Sequence, residues 1–425
     1  MIKTTLRPHQ LEAVAKAIPF NGFALFPEPR VGKTLVGLAI TDHHKPDRIL
    51  ILCPDIAIGE WQKQIEEHTV FEWEPEIRIM TYQAAIQKRT RSALNRWLKG
   101  HRSMTILDEG HVTKKHARRY SRTCFGFGKR SMFRLLLTGT PISQGLQDGF
   151  ALMRFVDPDV FPPTFAEFRE RYLKMGGYFN RKVIGFRNEE EFKEKFHSRA
   201  FRITFKESLG GSKKLLVRRQ KLYAPMTEAT RVHYDELSEE LQTYVTKKKK
   251  VKVQMIAQLA MKLQQLTGGH LIDEHHEAHR VAFTKENLLT KWMTHHWDRE
   301  SPFIVVCRFL HEIDALEPLL KAQGLNVQVI RGGRKLEDPD FDCVILQIQS
   351  GLAIDLSRAN TVIFYSWDYS YINFEQTRFR ILSYNQTRVT YVFLMLKGSI
   401  DDLLYEAVTK KKKLSDTVCD HFRRG

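Results

Sequence analysis

The sequence contains no uninterrupted apolar run of about 18 residues, the length a membrane-spanning helix requires, so no membrane partner is expected. Its opening residues, MIKTTLRPHQ, hold no apolar stretch, and a secretory signal is not expected either. Cysteine is scarce: Cys53, Cys124, Cys307, Cys343 and Cys419 make an odd five with no C-x-x-C pair. A disulfide framework is thereby excluded, and reduced, buried thiols in a cytoplasmic protein are predicted. General disorder is excluded too, because 42% of the 425 residues are hydrophobic, enough for a sizeable core. Low-complexity text is limited to two lysine runs, at 247–250 and 410–413, and no repeat is present. What the chain lacks most is negative charge. Its 49 acidic residues face 67 Lys and Arg, leaving +18. Such an excess favours a polyanionic partner, whose neutralised phosphates release counterions, although a solvated basic surface has the same composition.

At roughly 150 residues per domain, the length corresponds to two or three domains. Over residues 1–150 the apolar runs GFALF (22–26), RILILCP (48–54), IRIMTY (77–82), MTILDE (104–109) and FRLLLTGTP (133–141) read as short buried strands. Segments long enough for crossover helices, such as 33–41 and 58–68, separate them. This alternation predicts an α/β fold built on a doubly wound parallel sheet. Residues 151–285 change character: stretches such as FAEFRERYLKM, EEEFKEKFHSRAF and VQMIAQLAMKLQQL form helices, with glycine pairs at 176–177, 210–211 and 268–269 marking loops. We read this part as a mostly helical insertion and linker. Strand-like runs return over 286–425, in FIVVCRF (303–309), VQVIRG (327–332), DCVILQI (342–348), TVIFYS (361–366) and RVTYVFLML (388–396), and predict a second α/β lobe. Two such lobes around a cleft suit closure driven by a nucleotide.

Two segments carry chemistry. FPEPRVGKT (26–34) follows the first strand and opens a helix. Backbone N–H groups of such a loop can wrap a phosphate chain, with Lys33 reaching the β- and γ-phosphates and Thr34 ligating Mg²⁺. The first glycine of the usual G-x-x-x-x-G-K-[ST] pattern is Pro27 here. MTILDEGH (104–111) ends a buried strand in Asp108 and Glu109, at the carboxyl edge where open α/β sheets bind ligands. One carboxylate there can hold Mg²⁺ and the next can polarise water; alone, the pair reads equally well as a solvated acidic strand end.

Together with Lys114 and LTGTP (137–141), these residues resemble motifs of the superfamily-2 helicases and translocases, and more closely those of the Swi/Snf type of DNA translocase. LRPHQ (6–10), LILCPDIAIGEWQKQIEEH (50–68), MTYQ (80–83), LMRFVDPDVFPPTFAEFRERY (152–172), AMKLQQLTGG (260–269) and QIQSGLAIDLSRANTVIFYSWDYSYINFEQTRFR (347–380) extend the likeness over nearly the whole chain. The resemblance implies two RecA-like lobes using ATP and Mg²⁺. It assigns nucleotide contacts to Arg7, Gln10 (reading adenine), Arg30, Gly32, Lys33, Thr34 and Gln376, and the metal to Thr34 and Asp108. Glu109 would orient water, and an arginine from lobe two would complete the site. Thr138 and Thr140 in the first lobe, and Ser350, Gly351 and Asp355 in the second, would couple hydrolysis to DNA.

Three departures accompany it. Arg30 stands where the family has glycine; Gln376, Arg378 and Arg380 are spaced more tightly than Q-x-x-x-R-x-x-R; and the stretch between VQVIRG and DCVILQI is short. We prefer Arg380 as the finger, because Ile381 follows it as in the family, with Arg378 second. The expected activity is that of a monomeric, ATP-dependent DNA translocase or helicase on duplex or branched DNA, compact like phage or bacterial members, in replication, recombination or repair. The alternatives are a nucleotide-regulated DNA-binding protein with weak catalysis, a strand-separating branch-migration helicase, and an RNA-directed helicase.

Weaker signals remain. His270, His275, His276 and His279 could suggest zinc, but without a nearby cysteine a solvated loop is favoured. The lysine runs read equally as DNA contacts and as solvated helix faces. Trp61 and Trp367 read as packing residues.

Overall fold

The computed structural model describes the chain except residues 115–118, 143–144, 178, 180–181, 211–213, 248–252, 274, 276, 333–335, 351–354 and 411–425. It forms two compact units, Met1–Ser212 and Lys213–Gly425. Among the described residues no helix is long and apolar enough to cross a membrane.

The strands of the first unit are β1 (Gly22–Leu25), β2 (Arg48–Cys53), β3 (Glu76–Thr81), β4 (Ser103–Asp108), β5 (Phe133–Leu137), a hairpin of β6 (Leu173–Gly176) and β7 (Lys182–Phe186), and β8 (Ala200–Phe201). Six of them make one sheet in the order β3-β2-β4-β5-β1-β8, with every pairing parallel. Helices cover both faces, which is why the strands are apolar at consecutive positions rather than at alternate ones. Ile106 and Leu135 join one core with Leu38, Ile40 and Trp61, while their neighbours Leu107 and Leu136 join another with Phe127, Phe155 and Phe168.

The second unit holds β9 (Leu216–Ala224), a hairpin of β10 (His270–Ile272) and β11 (Ala278–Arg280), then β12 (Phe303–Cys307), β13 (Val327–Ile330), β14 (Cys343–Gln347), β15 (Thr361–Phe364) and β16 (Arg388–Leu396). Its main sheet, β13-β14-β12-β15-β16-β9, is also parallel throughout. Both units are therefore parallel-sheet α/β lobes, as the sequence predicts.

Residues 151–285 are shared between the lobes. The aromatic helices Gln147–Val156, Phe165–Tyr172 and Glu189–His197 belong to the first unit, where Phe150, Phe168, Tyr172, Phe192 and Phe196 stack in its core. The chain then returns to the sheet as β8 at its edge, beside β1. In the second unit, β9 lies along the full length of β16. The HLIDEHHEAH text becomes the hairpin of β10 and β11, in which Asp273 accepts hydrogen bonds from the backbone N–H groups of His275 and Glu277 and pairs with His279 at 2.8 Å. His270 is buried against the His311 ring, and His276 lies outside the described residues. Cys53, Cys124, Cys307 and Cys343 are buried free thiols; Cys419 lies outside the described residues.

The second unit also contains a buried ionic core. Lys285 and Asp401 are both fully buried, 3.0 Å apart, and Lys285 donates a second hydrogen bond to the Tyr365 carbonyl at 3.0 Å. Asp401 further accepts from Thr267 Oγ1 and the Leu396 N–H. Glu312, equally buried, accepts from Ser366 Oγ and from the N–H groups of Arg308 and Phe309 through one oxygen. Its other oxygen has no partner among the described residues. Burial pushes the Glu312 carboxyl up to about 7, against the hydrogen bonds from Ser366 and the backbone.

Candidate nucleotide site

Strands β1, β5 and β4 lie side by side and end at one level, with Leu25 paired to Leu137 and Asp108 paired to Leu137. Their three following loops therefore emerge together at the carboxyl edge of the first sheet, where such sheets bind ligands. Those loops are the glycine-containing loop 26–32, the Asp108-Glu109 turn and LTGTP.

The first loop is shaped by backbone geometry. Gly32, with φ +87°, precedes the helix Lys33–His44, and a Cβ there would come 2.3 Å from Gln10 Nε2. Only glycine meets both the left-handed backbone and that close approach. Arg30 also has a left-handed φ of 70°, so the arginine that replaces the family's glycine keeps a glycine's conformation. Glu28 ties the loop down: its N–H donates to the Ile203 carbonyl and its carboxylate accepts from the Phe205 N–H.

Lys33 Nζ lies 3.2 Å from Glu109 Oε1. The other oxygen of Glu109 is 3.0 Å from His111 Nδ1, and that nitrogen is 3.3 Å from Thr138 Oγ1. Thr138 Oγ1 accepts the Thr140 N–H at 3.3 Å, and Lys114 donates to the Thr140 carbonyl at 2.6 Å. A polar chain thus runs from the phosphate loop through the acidic turn into LTGTP. Asp108 is held separately: its Oδ1 accepts the Glu109 N–H and its Oδ2 the Trp61 indole N–H, both at 2.9 Å, while its carbonyl accepts the buried Tyr82 hydroxyl. Burial raises the Asp108 carboxyl, helped by the neighbouring charge of Glu109. Burial pushes Glu109 the same way, but Lys33 and His111 outweigh it and leave its carboxyl well below the usual range.

A model of the SNF2-related domain matches residues 70–313, more than half of the chain. The chain belongs to the SNF2-related family. Among curated proteins it is similar to the DNA repair and recombination protein RAD54-like of Drosophila willistoni, 22% identical over 514 residues that cover 99% of this chain and 64% of that protein. It is likewise similar to the chromodomain-helicase-DNA-binding protein 1-like of Mus musculus, 22% identical over 481 residues, with 99% and 51% covered. The chain spans between half and two thirds of the length of these relatives. A solved SWI2/SNF2 ATPase core of Sulfolobus solfataricus in complex with dsDNA aligns over 100% of this chain and 96% of that one, at 18% identity and a TM-score of 0.44.

The family match takes in Asp108, Glu109, Thr138 and Thr140 and leaves out Lys33. It is the 3.2 Å contact of Lys33 with Glu109 that joins the loop to the matched part. Thr34 follows Lys33 in the first turn of its helix. Gln10 is buried with its amide engaged by its own chain, accepting from the Arg7 N–H at 2.9 Å and donating to the Val31 carbonyl at 3.4 Å, so it braces the loop. In the second unit, Arg378 pairs with Glu375 and its guanidinium lies 5.0 Å from the centre of the Tyr391 ring, so it is held within that unit's own packing. Arg380 caps the helix Tyr371–Phe379 and is half-buried, as is Gln376. Ser350 Oγ donates to Gln347 and accepts the Gly332 N–H, while Asp355 accepts the Ser357 N–H; Gly351 lies outside the described residues.

Sequence reasoning passed over three residues of the first lobe's site. Trp61, read as packing, holds Asp108; Tyr82 fixes the backbone of that aspartate; and His111 links Glu109 to Thr138. The only signal for His111 was its place in D-E-G-H.

Proposed function

We propose that the chain is a DNA-dependent ATPase that moves along duplex or branched DNA, acting in replication, recombination or repair. The observation that carries this reading is the contact of Lys33 with Glu109 at the shared edge of β1, β4 and β5. The donor set fits its cofactors. Gly32, held in a left-handed backbone against Gln10, opens the helix whose first N–H groups can meet phosphates, and the Thr34 hydroxyl and Asp108 carboxylate are the hard oxygen ligands that Mg²⁺ takes. When bound, Mg²⁺ neutralises charge on the β- and γ-phosphates.

Phosphates entering the loop draw the Lys33 ammonium off Glu109. The freed carboxylate, held ionised and oriented by His111, then accepts a hydrogen bond from the attacking water. Trp61 keeps the Asp108 plane fixed. The change at Glu109 passes through His111 to Thr138 and Thr140, the expected link to DNA, and Arg380, which Ile381 follows as in the family, is the preferred arginine for completing the site. DNA as the track is supported by the family and by the +18 charge. A monomeric motor in the cytoplasm of a bacterium or phage-infected cell is the setting that the sequence resemblance alone suggests.

The test is ATP hydrolysis by the purified chain, alone and with single-stranded DNA, duplex DNA, a fork or RNA, beside Lys33→Ala. Stimulation by duplex or forked DNA that disappears in the variant is expected. ATP binding with no hydrolysis on any nucleic acid would overturn the motor and leave a nucleotide-dependent DNA-binding protein.

A further inference from the structure

We propose that the outer face of the helices Lys88–Leu98 and Arg119–Gly128 in the first unit is a second nucleic-acid surface, gripping a phosphate backbone away from the nucleotide site. The inference rests on the DNA reading above and adds a contact surface to it. Between Glu76 and Asp148 the sequence carries 15 Lys and Arg and only two acids, Asp108 and Glu109, which belong to the nucleotide site. Fifteen cations less two carboxylates leaves +13 of the chain's +18 in one sixth of its length.

The two helices pack against each other, and their apolar residues Leu94, Trp97, Leu98, Cys124 and Phe127 enter one core, which turns the basic residues outward. Lys88, Arg89, Arg96, Lys99, Arg119 and Arg122 are exposed, and none of them takes part in an ion pair among the described residues. Arg119 reaches only the Ile86 carbonyl. On other helices of the same unit, exposed lysines have acidic partners one turn away: Lys16 with Glu12, Lys63 with Glu67, Lys193 with Glu190 and Lys195 with Glu191. Those helices mix signs along their exposed faces, whereas Lys88–Leu98 and Arg119–Gly128 contain no acid at all.

The charges also oppose the helices that bear them. Neither helix has an acid in its first turn, where Lys88, Arg89, Arg119 and Arg122 face the positive end of the dipole, whereas the helix Glu189–His197 opens with three glutamates. An external polyanion offsets that repulsion. The stripe has length as well as charge. Lys88 stands just after the carboxyl end of β3 and Lys99 just before the start of β4, so the 11-residue helix runs from one edge of the sheet to the other. It covers about 16 Å, over which a duplex presents about nine phosphates. No large apolar side chain of either helix is exposed, so the face lacks what a membrane-surface helix inserts.

The test compares two full-length variants of equal net charge: Lys88→Gln/Arg89→Gln/Arg96→Gln/Lys99→Gln, and the matched set Lys16→Gln/Lys63→Gln/Lys193→Gln/Lys195→Gln. Affinity for a labelled duplex is measured by anisotropy across a salt titration, with circular dichroism reporting folding. The patch variant is expected to flatten the slope of log affinity against log salt by roughly 3 to 4, at about 0.9 per phosphate contact, and the control to keep the wild-type slope. If the fourfold variant misfolds, Arg89→Gln and Arg96→Gln singly are expected to flatten it by about 0.9 each. Equal effects of patch and control sets, or none from either, would overturn the proposal while wild-type binding upheld the DNA reading. A wild-type chain that binds no nucleic acid would instead overturn the DNA reading itself. Patch-dependent binding to phosphatidylserine vesicles but not to duplex would reassign the face to a membrane.

Discussion

The two lobes share an all-parallel six-stranded sheet, and each buries charged groups, but the charges are arranged to opposite ends. In the second lobe Lys285 and Asp401 are fully enclosed, and between them take hydrogen bonds with the Tyr365 carbonyl, Thr267 and the Leu396 N–H. In the first, Lys33 and Glu109 keep 13% and 24% of their side chains accessible, and among the described residues Lys33 has a single carboxylate contact for an ammonium with three protons to donate. A fully enclosed ion pair fixed by several hydrogen bonds is scaffold; one left partly open at a sheet's carboxyl edge can exchange its partner for a ligand.

The comparison breaks most readily at the two lysines. Lys285→Met strands Asp401 without its counter-charge and is expected to lower unfolding stability by roughly 3–5 kcal/mol in a guanidinium titration. Lys33→Met is expected to cost less than about 1 kcal/mol, because its pair is partly solvated, yet to slow hydrolysis on the order of 10²–10³-fold. Similar stability losses at both positions would erase the distinction.

A smaller effect is expected at Trp61. Trp61→Phe keeps the buried ring and removes the N–H that holds Asp108. A hydrogen bond to a charged group contributes about 1.5–3 kcal/mol, so the Mg²⁺ concentration for half-maximal hydrolysis should rise roughly tenfold or more, with the rate recovering at saturating Mg²⁺. An unchanged Mg²⁺ dependence would return Trp61 to packing alone.

The smallest effect concerns pH. Glu312 binds its proton more tightly when folded, at about 7 against an ordinary 4.5. The folded state therefore holds more protons than the unfolded one between these values, and its stability falls as pH rises through that window. Glu312→Gln, a mimic of the neutral acid, is expected to flatten this part of the melting-temperature profile. A profile as steep as that of the wild type would assign the pH dependence to other groups.

The sheets were legible because buried parallel strands are apolar at every position, so runs such as RILILCP and RVTYVFLML stand out from the helices beside them. What escaped was strand text without that pattern. β9, LVRRQKLYA, is a largely exposed edge strand whose cations conceal it, and β8 has only two residues. The aromatic stretch after residue 150 forms helices interrupted by the strands β6, β7 and β8, and it belongs to the first unit because its phenylalanines pack into that core. At the site, Lys33, Asp108 and Glu109 were legible from motif spacing. Trp61 was not, because an indole in a core and an indole donating to a carboxylate share one sequence pattern. The engagement of Gln10 with Val31 and of Arg378 with Glu375 depends on tertiary contacts that no spacing encodes.

The most direct test of the account sets two isosteric changes side by side, Glu109→Gln and Glu312→Gln, and measures DNA-stimulated ATP hydrolysis. Each replaces one carboxyl group by a neutral amide of nearly the same shape. The account predicts that Glu109→Gln loses on the order of 10²–10⁴ in rate while still binding ATP, and that Glu312→Gln hydrolyses ATP as the wild type does. Wild-type hydrolysis by Glu109→Gln, or its loss in a folded Glu312→Gln, would contradict the placement of the chemistry in the first lobe.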